Sequence, residues 1–263
     1  MSTLIAATNP LYSLISSFKK AFQKNYFSPG TKEKKPVEAY DLWAKSYDIQ
    51  PGNLMLDMDK EIFTELLSEV SINGKQIADI GCGTGRYWPM LLQNTPADVT
   101  GFDASAGMLR RLEQKYPGAK TNQVIDNRLS DVGNATYDVI ISTLTVAHIE
   151  HIEETLAAWS RILKYNSDII ITDFHPNALA YGIRRTFQHN KDNIAIENFI
   201  HYVYDIEGIL INNGFRIVNK IEKRIDESVK HYYEAMNSLE VYERFKDARI
   251  LYGIHLKRTD DLK

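Results

Sequence analysis

Ile77-Ala78-Asp79-Ile80-Gly81-Cys82-Gly83-Thr84-Gly85-Arg86-Tyr87 runs from an apolar stretch with one embedded acid into three glycines at alternate positions. A short apolar run closed by glycine reads as a buried parallel strand and a tight turn. A helical pattern follows, so the turn would aim a helix N-terminus at a ligand. Gly81 and Gly83 reach backbone angles closed to other residues and let a ligand approach the main chain. Gly85 lets the helix start close to the strand. The combination predicts an α/β sheet with its site at the carboxyl ends of the strands.

The spacing narrows the ligand. The dinucleotide fingerprint is G-x-G-x-x-G. Here the third glycine comes one residue early, and Arg86 stands where that motif has glycine. The next apolar run, Val99-Thr100-Gly101-Phe102-Asp103, ends in an acid roughly 20 residues on, where a carboxylate reaches a ribose hydroxyl pair. A ribose is expected, with a poor pyrophosphate cradle.

Asp79-x-Gly81-x-Gly83-x-Gly85 with Asp103, and the strand Tyr137-Asp138-Val139-Ile140-Ile141-Ser142, resemble the S-adenosylmethionine site of class I methyltransferases. Tyr40-Asp41-x-x-Ala44-x-x-Tyr47-Asp48 upstream and the stretch around His148 are similar to the small-molecule branch that includes ubiquinone/menaquinone-type enzymes (methyltransferase type 11). The resemblance covers roughly residues 37 to 222. It implies a Rossmann-like doubly wound α/β fold with seven strands, mostly parallel with the last antiparallel, plus N-terminal helices and a helical lid. It implies S-adenosylmethionine as cofactor and S-adenosylhomocysteine as product. Asp79 and Gly81 would hold the methionine end, with Cys82, Gly83 and Gly85 completing the loop. Asp103 and Ala104 would serve the ribose, Met108, Asp126 and Asn127 the adenine, and Thr143 would line the site. Tyr40 or Tyr47 would face the sulfonium, which suits aromatic faces. The Asn-Pro-Pro-aromatic signature of enzymes methylating adenine or glutamine amides is absent.

His148 follows the central strand, beside the expected reacting centre, and is the first candidate for a base; His175, after Asp168 to Thr172, is the second. An acidic acceptor needs no base. His148 and His151 are not in the H-E-x-x-H arrangement, so no metal site is expected. Two rivals remain: a binding protein without transfer activity, and a nicotinamide oxidoreductase, against which the early third glycine and Arg86 speak.

At 263 residues, 44% apolar and 25% charged, the chain fits one large α/β domain with appendages. A net charge of -3 gives no electrostatic footprint for nucleic acid. The single cysteine, Cys82, excludes an internal disulfide framework and reads as a small residue that fits its turn. No apolar run is long enough to span a bilayer, and Lys19, Lys20 and Lys24 follow the N-terminal apolar residues rather than precede them, so a cytoplasmic location is expected. Residues 10 to 24 form an amphipathic helix candidate. It reads first as packing on its own domain or a partner; the alternative is a membrane-surface helix serving a lipid-like acceptor. Residues 28 to 36 read as a linker. The expected division is 1–35 as helix and linker and 36–263 as the methyltransferase-like domain, with lid or insert segments at about 174–204 and 226–248. The first insert carries Arg184, Arg185 and several aromatics, which suit a small aromatic or lipid-like acceptor with an anionic head. Oligomeric state is left open.

Overall fold

A computed structural model describes residues 31–50, 53–235 and 237–259. The 10–24 helix candidate lies outside them. The described chain opens with β1 (Thr31–Lys34) and α1 (Pro36–Trp43), where Pro36 occupies the first turn. Then comes α2 (Leu54–Ser68), whose N-cap Asn53 accepts from the N–H groups of Met55 and Leu56. The alternating units β2 (Gln76–Ile80), α3 (Trp88–Gln93), β3 (Asp98–Asp103), α4 (Ala106–Lys115), β4 (Lys120–Gln123) and β5 (Tyr137–Thr143) follow. Ser105 caps α4 by accepting from Met108 N–H.

A short 3-10 turn, Val146–His148, leads to α5 (Ile152–Ile162), β6 (Leu163–Phe174) and α6 (Pro176–Ala180). The chain then makes a hairpin, β7 (Thr186–His189) and β8 (Asp192–Ile196), before α7 (Val203–Asn212) and β9 (Phe215–Arg224). Two short helices, α8 (Lys230–Ala235) and α9 (Leu239–Phe245), precede β10 (Arg249–Arg258).

Seven strands form one sheet in the order β4-β3-β2-β5-β6-β10-β9. The first five run parallel, and β10 is antiparallel to both β6 and β9. This is the expected fold. Both sheet faces are buried, so successive residues serve opposite cores. Ile77, Val139, Ile141 and Ile170 pack with α2 on one face. Ala78, Ile80, Ile140, Ile169 and Ile171 pack with α5 and α7 on the other. The strand order reverses between β2 and β5, which opens a crevice at their carboxyl ends.

Two segments differ from the sequence reading. Residues 31–34 are a strand rather than linker: β1 pairs parallel with β8, and β8 pairs with β7, forming a second, three-stranded sheet. The lid segment is largely this hairpin rather than helix. Its apolar residues Phe187, Ile194 and Ile196 alternate along the strands and pack against Ala39, Trp43 and Tyr47. Phe187 stacks on Trp43 with ring centroids 4.6 Å apart. The small sheet thereby clamps α1 over the crevice. Among the described residues, no helix is long and apolar enough to cross a membrane.

Candidate functional site

The carboxyl ends of β2, β3 and β5 line a cavity of about 350 Å3 together with α1 and the segment after β8. That volume suits a small-molecule ligand. Gly81 and Gly83 both lie on its wall in the left-handed region, with φ of +74° and +54°. A Cβ at Gly81 would fall 2.0 Å from Thr145 Oγ1, so the loop after β5 rests directly on the glycine backbone. At Gly83 only Tyr47 comes as near as 4.0 Å to a built Cβ, which leaves the main chain open to a ligand. Gly85 serves packing instead, against Trp88, Tyr116 and Leu112. Cys82 is buried and lies outside the cavity lining, facing Gly101.

Asp103 sits at the end of β3 on the cavity wall. Its two oxygens accept from Gly83 N–H and Ser105 N–H, each at 2.8 Å. A carboxylate has about four lone-pair sites, so acceptor capacity remains for a diol. Burial pushes its carboxyl up to about 6, and the two N–H groups oppose that rise.

Asp79 does not line the cavity. It is buried beneath the glycine loop, where it accepts from the Trp88 indole N–H at 2.9 Å, and burial pushes it up to about 7. Ala104, Met108, Asn127 and Thr143 do line the cavity, with Val124, Leu129 and Trp159. Asp126 does not; it is exposed, and its side chain closes a turn by accepting from Arg128 N–H at 2.8 Å.

Tyr40, Tyr47 and His148 also line the cavity, Tyr47 beside Gly83. His148 Nδ1 faces the Glu197 carbonyl oxygen at 3.0 Å, which can only accept. That fixes the proton on Nδ1 and leaves Nε2 to accept from the Tyr40 hydroxyl at 2.9 Å. Burial pushes the imidazole down to about 4 and the Tyr40 phenol well above its usual value. His148 is therefore neutral near pH 7, with its basic nitrogen already engaged.

His175 is not brought to this cavity. It caps α6, accepting from Asn177 N–H, and its Nε2 lies 3.5 Å from Glu222 of β9. The physical reason is that β10 enters between β6 and β9, so the chain leaving β6 turns His175 toward that antiparallel edge.

The structure adds residues that local patterns do not reveal. Glu197 and Phe199 reach the cavity through the hairpin, and Phe199 N–H donates to Ala147 C=O at 2.7 Å. Asp173, at the end of β6, holds the same loop by accepting from Ala147 N–H at 2.8 Å. Leu144 of the same loop sits at φ 52°, a strained setting for leucine. Contacts this distant in sequence leave no periodic signal. Among the described residues no cluster of His, Cys, Asp or Glu could hold a metal.

Residues 78–171 match the methyltransferase domain family. An uncharacterized methyltransferase of Emericella nidulans is 27% identical over 177 residues, covering 53% of this chain and 60% of that one. The malonyl-[acyl-carrier protein] O-methyltransferase of Paenibacillus sp. is 25% identical over 145 residues, covering 51% of this chain and 52% of that one. The chain thus matches little more than half the length of these relatives. A solved S-adenosylmethionine dependent methyltransferase from Mesorhizobium loti superposes with a TM-score of 0.57 at 17% identity, covering 74% of this chain and 97% of its own. The seven-stranded sheet thus has the fold of that solved S-adenosylmethionine dependent methyltransferase, and residues 78–171 within it are similar in sequence to the methyltransferase domain family.

Proposed function

We propose that the protein transfers a methyl group from S-adenosylmethionine to oxygen or carbon of a small-molecule acceptor, as a member of the small-molecule branch of its class. The observation carrying this reading is Asp103: a half-buried carboxylate on the cavity wall, oriented by two loop N–H groups, beside an open Gly83 backbone. Asp103 would accept from the ribose hydroxyls. Ala104, Met108, Asn127 and Leu129 would enclose the flat base, and Gly81 and Thr143 would border the methionine end. The Tyr40 and Tyr47 rings would face the positive sulfur. When bound, S-adenosylmethionine supplies an electrophilic methyl carried on a sulfonium.

The chain's own task is then alignment and exclusion of water. Phe199 and Tyr40 line the cavity, and the Glu197–His148–Tyr40 chain fixes the tyrosine ring. With its nitrogen engaged and its basicity lowered, His148 serves this reading better as a positioning residue than as a strong base. The Paenibacillus relative, named for O-methylation, supports oxygen as one acceptor atom.

Calorimetric titration with S-adenosylhomocysteine tests the reading. Binding by the native chain and its loss in Asp103→Ala are expected. A folded native chain that fails to bind would overturn it. Methyl transfer from labelled S-adenosylmethionine to screened acceptors separates an enzyme from a silent binder.

A further inference from the structure

Arg86 stands where a dinucleotide motif has its third glycine, and it does not line the cavity. Its guanidinium reaches back from the glycine turn to two partners. Nη2 donates to the Tyr47 hydroxyl at 2.8 Å. Nη1 is buried without a hydrogen-bond partner among the described residues, and Asp59 Oδ2 of α2 lies 3.7 Å from it. Asp59 is fully buried and also accepts from the hydroxyls of Tyr87 and Thr172, each at 2.5 Å. A buried carboxylate that loses its cation is costly, so charge holds Arg86 on that side.

Tyr47 does line the cavity, and its Cε1 is 4.0 Å from a Cβ built on Gly83. It lies in the turn that follows α1. Two hydrogen bonds tie this turn to the glycine loop: Arg86 to Tyr47, and Thr84 Oγ1 to Asp48 Oδ1 at 2.6 Å. A third comes from the stretch between α6 and β7, where Arg185 Nη2 donates to the same Tyr47 oxygen at 3.0 Å. A phenol oxygen accepts about two hydrogen bonds, so two charged donors occupy it and fix the direction of the ring. The ring is thus held against Gly83, whose main chain is open to a ligand, by two arginines that do not line the cavity themselves.

We propose that Arg86 is a positioning residue for cofactor binding. It acts through the Tyr47 hydroxyl, holding that ring beside the Gly83 backbone and so setting the shape of the cavity wall there. This rests on the methyl-transfer reading above. The two nitrogens have separate tasks: Nη1 neutralises Asp59 and keeps the turn on α2, while Nη2 steers Tyr47. Lysine supplies the charge but lacks the planar fork that sets two donors apart. Substitution can therefore separate the structural task from the positioning one.

The test measures S-adenosylhomocysteine affinity by calorimetry and stability by urea denaturation, on the full chain, for Arg86→Lys, Tyr47→Phe and the two combined. Arg86→Lys should keep most of the stability and weaken S-adenosylhomocysteine by about threefold to thirtyfold. Tyr47→Phe should weaken it to a similar extent. Adding Arg86→Lys to Tyr47→Phe should cost no further affinity, because both act through one contact. Additive losses of affinity in the combined variant overturn the proposal, and so does native affinity in either single variant. Should Arg86→Lys fail to fold, Arg86→Gln with Asp59→Asn removes the buried charge pair together and is combined with Tyr47→Phe in the same way. Failure of the native chain to bind S-adenosylhomocysteine is a different result and removes the methyl-transfer reading itself.

Discussion

A Cβ at position 81 would meet three atoms of Thr145 within 2.7 Å, whereas one at Gly74 would meet nothing within 4 Å. Both glycines have a positive φ, +74° and +68°. The pair therefore separates backbone strain from close approach. Gly74→Ala should cost about 1–2 kcal/mol, the strain alone. Gly81→Ala should cost about 2–5 kcal/mol, because the loop after β5 must also move. Urea denaturation measures both, and S-adenosylhomocysteine titration should be impaired only in the second. Asp103 carries a pH signature. Its ionised form accepts from a diol, and its free-state pKa is pushed up to about 6. Affinity for S-adenosylhomocysteine should thus be highest above that value and fall toward about tenfold per pH unit below it, as the proton competes. Burial pushes Asp79 up to about 7 as well, with Asp103 adding to that rise. The native profile is therefore compared with that of Asp103→Asn, in which the site's own proton is gone and only a shifted Asp79 titration remains. Matching profiles for the two proteins from pH 5 to 8 would remove Asp103 from cofactor binding. His148 runs in the opposite sense: burial holds it neutral down to about 4, so it stabilises the fold fully above the ordinary histidine value and loses this as pH falls through 4.

The three-stranded sheet β1-β8-β7 decides how tightly α1 covers the cavity. Phe187 is 2% exposed and stacks nearly parallel to Trp43, the ring planes 3° apart. Phe187→Ala should cost about 3–5 kcal/mol in that cluster. The large sheet shares little of its core with it, so the loss should be local. Hydrogen exchange should rise over residues 36–47 and 186–196 while β2, β5 and β6 stay protected; uniform loss of protection would show the small sheet to be integral to the main fold. This sheet is also where sequence reading reached its limit. The glycine turn and the strand carrying Asp103 are legible because each is a local pattern of a few residues. Thr31-Lys32-Glu33-Lys34 is charged and short, and only its partner Asn193–Ile196 makes it a strand. His175 follows a strand end as His148 does; β10 alone, some 75 residues later, turns it elsewhere. Asp126 and Asn127 are adjacent in sequence, yet one closes a turn and the other lines the cavity.

The order of the seven strands places the last one to be synthesised near the middle of a sheet flank. β10 sits between β6 and β9, and α2, from near the other end of the described chain, packs across it. This long-range closure ties residues 54–68 to residues 249–258 and sets the cooperativity of the whole. The contact point is Gly253, where a Cβ would lie 2.2 Å from Ile62 Cγ2 and 2.9 Å from Leu66 Cδ1. Ile62 and Leu66 are fully buried, and Gly253 pairs with Thr172 of β6 and Ile221 of β9, so neither helix nor strand can yield cheaply. Gly253→Ala should cost about 1–3 kcal/mol by overpacking. Ile62→Ala should cost about 2–5 kcal/mol by leaving a cavity. Together they should cost less than the sum, because the new methyl occupies space that the lost side chain vacates. The urea midpoint should shift at constant slope, which marks a change of global stability rather than of a local unit. S-adenosylhomocysteine affinity should hold in every variant that stays folded, since Gly253 lies across β6 from the cavity. Strictly additive costs would mean that α2 and β10 are not in the contact described, and the closure of the fold would have to be sought elsewhere.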